Sequence, residues 1–294
     1  MRAADLVRLI VLAAIWGGSY ALMRVVAPVL GGTGTAWVRI SIAGVLLCGY
    51  AFAIRSPLEW KRWWKQYLVV GVLNSAIPFS LIGFAMKTLP ASYGAVLNAL
   101  SPLFGAIFTA LMLGEALTPR KLAGIVLGFV GVAILVRLGP VEVTPALLIA
   151  AGSCVLATAC YGYVSVYAKK HVGGAPNLGL ATGSLLLPAI PLAFFAIPTL
   201  PAEIPSTPVI VATLVLAIAC SGIAYLLYFR LIRDVGPTKA ISVTFLIPLF
   251  GMLWGVAFLD ETITLTTIVG ALTIFAGMAL VLGLKIPRPA PSVE

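Results

Sequence analysis

Few residues in this sequence can do chemistry, and those few are mild. Trp16, Ser19, Tyr20 and Met23 recur at i, i+3, i+4 and i+7, so one helical face carries an indole, a hydroxyl, a phenol and a thioether. Asn74, Pro78 and Phe79 lie in a second apolar stretch and Asn98, Ser101 and Gly105 in a third. Thr158, Tyr161 and Ser165 share a face in another, as do Ser221, Tyr225 and Tyr228 in the next, and Thr244 follows in the last. Such groups donate and accept hydrogen bonds and offer rings for stacking. A hydroxyl in a helix usually bonds to its own backbone. The amides of Asn74 and Asn98 therefore carry most of the argument, since a buried amide needs outside partners. Asp and Glu fall only at the ends of apolar runs and in loops, and the single histidine, His171, follows Lys169 and Lys170 in a loop. Acid–base and nucleophilic catalysis need such groups clustered, so an enzyme is not expected. The four cysteines, Cys48, Cys154, Cys160 and Cys220, are dispersed within apolar runs and read as small core residues; no metal or cofactor is expected.

The elements that hold these groups must be membrane spans. The chain is 61% hydrophobic and 10% charged, with a mean hydropathy of +1.12. A soluble domain carries about 25% charged residues. Residues 66–86, 88–114, 143–168, 172–202, 204–229, 240–259 and 262–284 carry no charge at all, and a span needs about 20 apolar residues. With three shorter apolar runs extended by snorkelling arginines and lysines, ten helices are expected. They run over 6–28, 34–54, 66–86, 91–113, 119–137, 145–168, 177–198, 206–230, 237–259 and 263–284. The first is not a cleaved signal, because no cleavage site precedes a soluble chain. The net charge of +10 reads as orientation, not as nucleic-acid binding. Threading ten spans from a cytoplasmic N-terminus puts fifteen of the nineteen basic residues inside, Lys239, Lys285 and Arg288 among them. Arg24, Arg39, Lys87 and Arg137 fall outside. Trp60, Trp63 and Trp64, interleaved with Lys61, Arg62 and Lys65, suit a cytoplasmic headgroup boundary.

Pro-Leu-Phe-Gly occurs at 102–105 and again at 248–251. Aligned without gaps at that offset, residues 75–136 and 221–282 are identical at 15 of 62 positions, and LGEALT pairs with LDETIT. The halves, 1–140 and 141–294, read as two copies of a five-helix unit. Five is odd, so the second copy is expected inverted, as in transporters with a site at the repeat interface. Pro102 and Pro248 occupy one place in the two copies, mid-way along helices four and nine, and read as paired hinges.

WGGSYALMR, AWVRISIAG and LGEALTPRKLAGIVLGFVGVAIL resemble the EamA-type branch of the drug/metabolite transporter superfamily over essentially the whole chain. Asp260 departs from that pattern, where glycine is commoner. The resemblance implies an all-α exporter of the bacterial inner membrane with both termini cytoplasmic. It points most closely to exporters of aromatic and other neutral amino acids, with other metabolites or drugs as the alternative cargo. A channel-like pore is the reading from a different class. Helices one, three, four, six, eight and nine are expected to face the cavity. No mid-span acid and no deep Lys or Arg is expected among the spans, so a neutral amino acid would be selected by rings and amides, not by a charge.

Overall fold

Threonine or proline starts several of the helices, and left-handed residues stop three of those described. Thr144 and Thr264 accept bonds from the amides of Leu147 and Thr267 at 3.1 and 3.3 Å, and Thr118 does the same for Lys121 at 3.3 Å. Pro145 follows its cap at the first helical position, where a missing N–H costs nothing. Gly114 (φ 70°) and Asp260 (φ 53°) close their helices in the left-handed region. They are repeat partners, 146 residues apart. The exchange of glycine for aspartate is therefore confined to a helix end, at a conformation that Asp tolerates better than most side chains.

The computed structural model describes residues 2–138, 141–236, 240 and 242–283. Every regular element among them is helical: α1 (Ala3–Ala53), α2 (Trp60–Ala85), α3 (Ala91–Leu113), α4 (Pro119–Leu138), α5 (Pro145–His171), α6 (Asn177–Thr199), α7 (Thr207–Val235), α8 (Val243–Leu259) and α9 (Leu265–Leu282). Eight of these are long and apolar enough to cross a membrane, and α8 is a shorter apolar helix. The protein is a multi-pass membrane protein. Its outward surface is apolar, with Leu111, Ile190, Phe194, Phe258 and Leu265 each more than 70% exposed, as lipid rather than water requires. Two expectations are refined. Helices one and two follow each other without a loop, as two limbs of α1 that meet at a non-helical kink at Gly31 (φ 71°, ψ 167°), a conformation that favours glycine. The third helix begins at Trp60, so the tryptophan belt is helical. The expected helix start at 237, the helix end at 284, the repeat boundary at 140 and Lys239, Lys285 and Arg288 lie outside the described residues.

Small residues set the packing. The helices α4 and α9 meet backbone to backbone. A Cβ on Gly124 would lie 2.7 Å from the Gly277 carbonyl oxygen, and one on Gly131 would lie 2.9 Å from that of Gly270. Gly124 aligns with Gly270 and Gly131 with Gly277, so each glycine meets the counterpart of the other. Gly17 brings the first limb of α1 against α8, and Gly44 brings the second limb against α6. Arg8 binds Asp5 at 3.1 Å and Asp234 at 2.8 Å, which fixes the start of α1 beside the end of α7.

Candidate substrate cavity

Two helices widen at the same repeat position. In α2 residues Val72–Ala76, and in α7 residues Ile218–Ile223, form π-turns. A π-turn bonds residue i to i+5, so side chains five apart stack where they would otherwise diverge, and the loosened ladder opens carbonyls to outside donors. Asn74 and Phe79 are five apart, as are Cys220 and Tyr225, and all four face one cavity.

That cavity holds about 290 Å³, near the lower end of the range of about 300–1,000 Å³ for small-molecule sites. It suits one small solute. The first limb of α1 contributes Trp16, Ser19, Tyr20 and Met23; α3 contributes Asn98 and Ser101; α5 contributes Tyr161; α7 adds Tyr228, and α8 adds Val243, Thr244 and Ile247. Positions 74/220, 79/225, 82/228, 98/244 and 101/247 all line it, and each pair is one residue and its repeat partner. The two halves thus face the same space with matched positions.

The lining is ordered by its own bonds. Asn74 donates from Nδ2 to the Tyr225 hydroxyl at 2.9 Å. The Trp16 indole donates to the Cys220 carbonyl at 3.2 Å, and its ring lies 5.3 Å from that of Tyr228. Ser19 and Ser101 donate to the carbonyls of Trp16 and Asn98, at 2.6 and 2.7 Å, and each keeps oxygen lone pairs that can accept. Of the residues expected to bind substrate, Thr158 alone is absent from the lining. It is 1% exposed and its hydroxyl donates to the Val155 carbonyl at 2.7 Å; packing and back-bonding account for it. Of the prolines, Pro248 lies within α8, whereas Pro102 opens a helical segment directly after a 3₁₀ turn at Asn98–Leu100. The two are not equally mid-helical, because the tighter turn in α3 already bends the chain ahead of the proline.

The largest correction concerns charge. Arg39, expected at an outer helix end, lies two turns inside the second limb of α1 and is 4% exposed. Its Nε donates to the Ser221 hydroxyl at 2.7 Å, and its guanidinium sits 3.8 Å over the centre of the Phe79 ring. Its terminal nitrogens reach only the Met23 sulfur and the Cys220 carbonyl, each at 3.5 Å. Among the described residues it forms no ion pair and is the sole charged side chain of the lining. The sequence held the signal: a single arginine in the apolar run AWVRISIAG, where an intramembrane charge marks a functional site by default.

A helical membrane protein with a half-open cavity between two like halves, its lining mostly apolar with a few polar groups, has the build of a transporter. The EamA-like transporter family model matches residues 6–137 and again 148–283, and the chain belongs to that family. It is 28% identical over 272 residues to the uncharacterized transporter YvbV of Bacillus subtilis, covering 91% of this chain and 88% of that protein. Protein PecM of Dickeya dadantii is 25% identical over 275 residues, with the same coverage. The uncharacterized inner membrane transporter YedA of Escherichia coli K12 is 29% identical over 261 residues, covering 85% of this chain and 81% of that one. A solved crystal structure superposes with a TM-score of 0.65 at 20% identity, over 95% of this chain and 96% of that one; it shares the fold.

Proposed function

We propose that this protein exports neutral amino acids, aromatic ones included, across the bacterial inner membrane by alternating access. In this reading the break at Gly31 divides α1 into two spans, so the chain crosses ten times as two inverted five-helix repeats, 1–140 and 141–294. Pro102 and Pro248 are the flexing points of the exchange. The observation that carries the proposal is the cavity lined by matched positions of the two halves, with polar groups for an amino acid's backbone and rings for its side chain. The reciprocal glycine contacts of α4 and α9 favour a two-fold axis between the repeats, since each residue there meets the other's counterpart. YedA, named an inner membrane transporter, supports the location.

The basic residues favour cytoplasmic termini. Cysteines introduced at Ser56 and Ser206 are expected to react with an impermeant thiol reagent from opposite faces of the membrane. Labelling from one face would overturn the inverted arrangement.

Transport is tested by counterflow of labelled phenylalanine in proteoliposomes. Unlabelled neutral amino acids should compete, whereas lysine and aspartate should not, because lysine brings a second cation beside Arg39 and aspartate a second carboxylate for which the described lining has no further cation. A ring stacked on an aromatic partner gains about 0.5–1.5 kcal/mol beyond its buried area, which is roughly a two- to tenfold preference. Tyr225→Ala should therefore weaken competition by phenylalanine more than by alanine. Equal loss for both removes Tyr225 from the site, and efficient carriage of lysine or aspartate ends the neutral-solute reading.

A further inference from the structure

We propose that Arg39 is a carboxylate anchor, and that the cavity recognises the acid end of its solute while leaving the amino group optional. The proposal rests on the cavity being the transport site. Three observations point the same way. First, the guanidinium is buried and carries its charge without an acidic partner among the described residues. A buried charge is normally paired. Second, its bonds are unevenly spent. Nε is held short by Ser221, which fixes the plane of the group, and Phe79 covers one face. The terminal nitrogens, the edge that binds a carboxylate in bidentate fashion, have only a thioether and one long carbonyl contact. Third, no cation of the second half joins Arg39 in the lining among the described residues, so a bound solute is oriented with its acid toward the first half.

One positive charge matches one negative charge. Among the described residues the lining has no second cation to meet a phosphate dianion and no carboxylate to meet an ammonium. The amino group of an amino acid would have only neutral acceptors among the described lining, such as the oxygens of Asn98, Ser19 and Ser101. An acid without the amine loses little, and an amine without the acid places a second cation beside Arg39.

Ligand-induced thermal stabilisation of the purified wild-type protein tests this without any variant. 3-Phenylpropanoate should raise the melting temperature, as should phenylalanine. 2-Phenylethylamine, phenylalaninamide and inorganic phosphate should not. Arg39→Gln should weaken 3-phenylpropanoate binding by about ten- to a hundredfold, the usual worth of a charge-assisted bond, and Arg39→Lys should fall between. Stabilisation by the amine or the amide equal to that by the acid overturns the anchor, as does unchanged acid binding in a folded Arg39→Gln. If 3-phenylpropanoate binds and phenylalanine is not carried in counterflow, the amino-acid reading falls and the anchor stands. If no carboxylate binds the wild type, the anchor falls whatever is transported.

Discussion

Gly277→Leu is expected to lower stability by about 3 kcal/mol or more, the upper end for overpacking, because the obstruction is backbone and cannot turn aside. A Cβ at Gly277 would lie 2.5 Å from the Gly124 carbonyl oxygen and 2.7 Å from the Gly128 nitrogen. Separating α4 and α9 far enough to admit a leucine removes the contact along most of their length, and in lipid no hydrophobic driving force restores it. At somewhat under about 2 °C per kcal/mol for a chain of 294 residues, the melting temperature in detergent should fall by about 5 °C or more or the protein should fail to purify. Gly124→Leu should behave alike. Gly152→Leu is the control, since a Cβ at Gly152 meets nothing within 4 Å. If Gly277→Leu melts with the control, the close crossing is wrong.

Glu261→Ala should come second, at about 2–4 kcal/mol. The Glu261 carboxylate accepts the backbone N–H of Ala91 and, at 3.0 Å, that of Ser92, the first donors of α3. Those amides have no partner within their own helix, they form the positive end of its dipole, which the carboxylate faces, and Ala91 and Ser92 are buried. Losing the charged acceptor strands both donors, at about 1–3 kcal/mol for each buried group left unsatisfied. Glu115, its repeat partner, makes only a 3.9 Å pair with Lys121 near the surface, worth about 0–1 kcal/mol. Melting curves of Glu261→Ala and Glu115→Ala should therefore separate clearly. Coincident curves would show that the cap carries no weight, and Glu261→Gln should recover part of the loss.

The spans were legible because hydrocarbon demands long uncharged runs, and the repeat because identical helix ends and tight crossings preserve the same few residues, Gly124 and Gly131 among them. The aromatic and amide lining was legible from helical spacing, since Trp16, Ser19 and Tyr20 had to share a face. Arg39 was visible as a lone charge in an apolar run, but counting it as an end marker hid its depth, which the packing of α1 on α2 and α7 shows. Thr158 lies outside the lining for the opposite reason. A hydroxyl at helical spacing looks the same in sequence whether it points to a cavity or back to its own carbonyl. Asn74 and Phe79 were both singled out in the sequence, but that they face the same cavity did not follow from spacing, because five residues is the wrong interval for an ordinary helix.

That interval has a consequence for insertions and deletions. A span shortened by one residue within an ordinary α-helical stretch turns everything beyond the gap by about 100°, since 3.6 residues make a turn. A deletion at 225–235 would thus swing the last residues of α7 onto a new face. Within Val72–Ala76 or Ile218–Ile223 the same deletion closes a wide turn into a regular one, and the helix on either side keeps its face. These two short segments are the places where either half of the chain can lose a residue without re-aiming its rings. When this sequence is aligned with its relatives, a one-residue gap there is to be read as a wide turn relaxed rather than as a span broken.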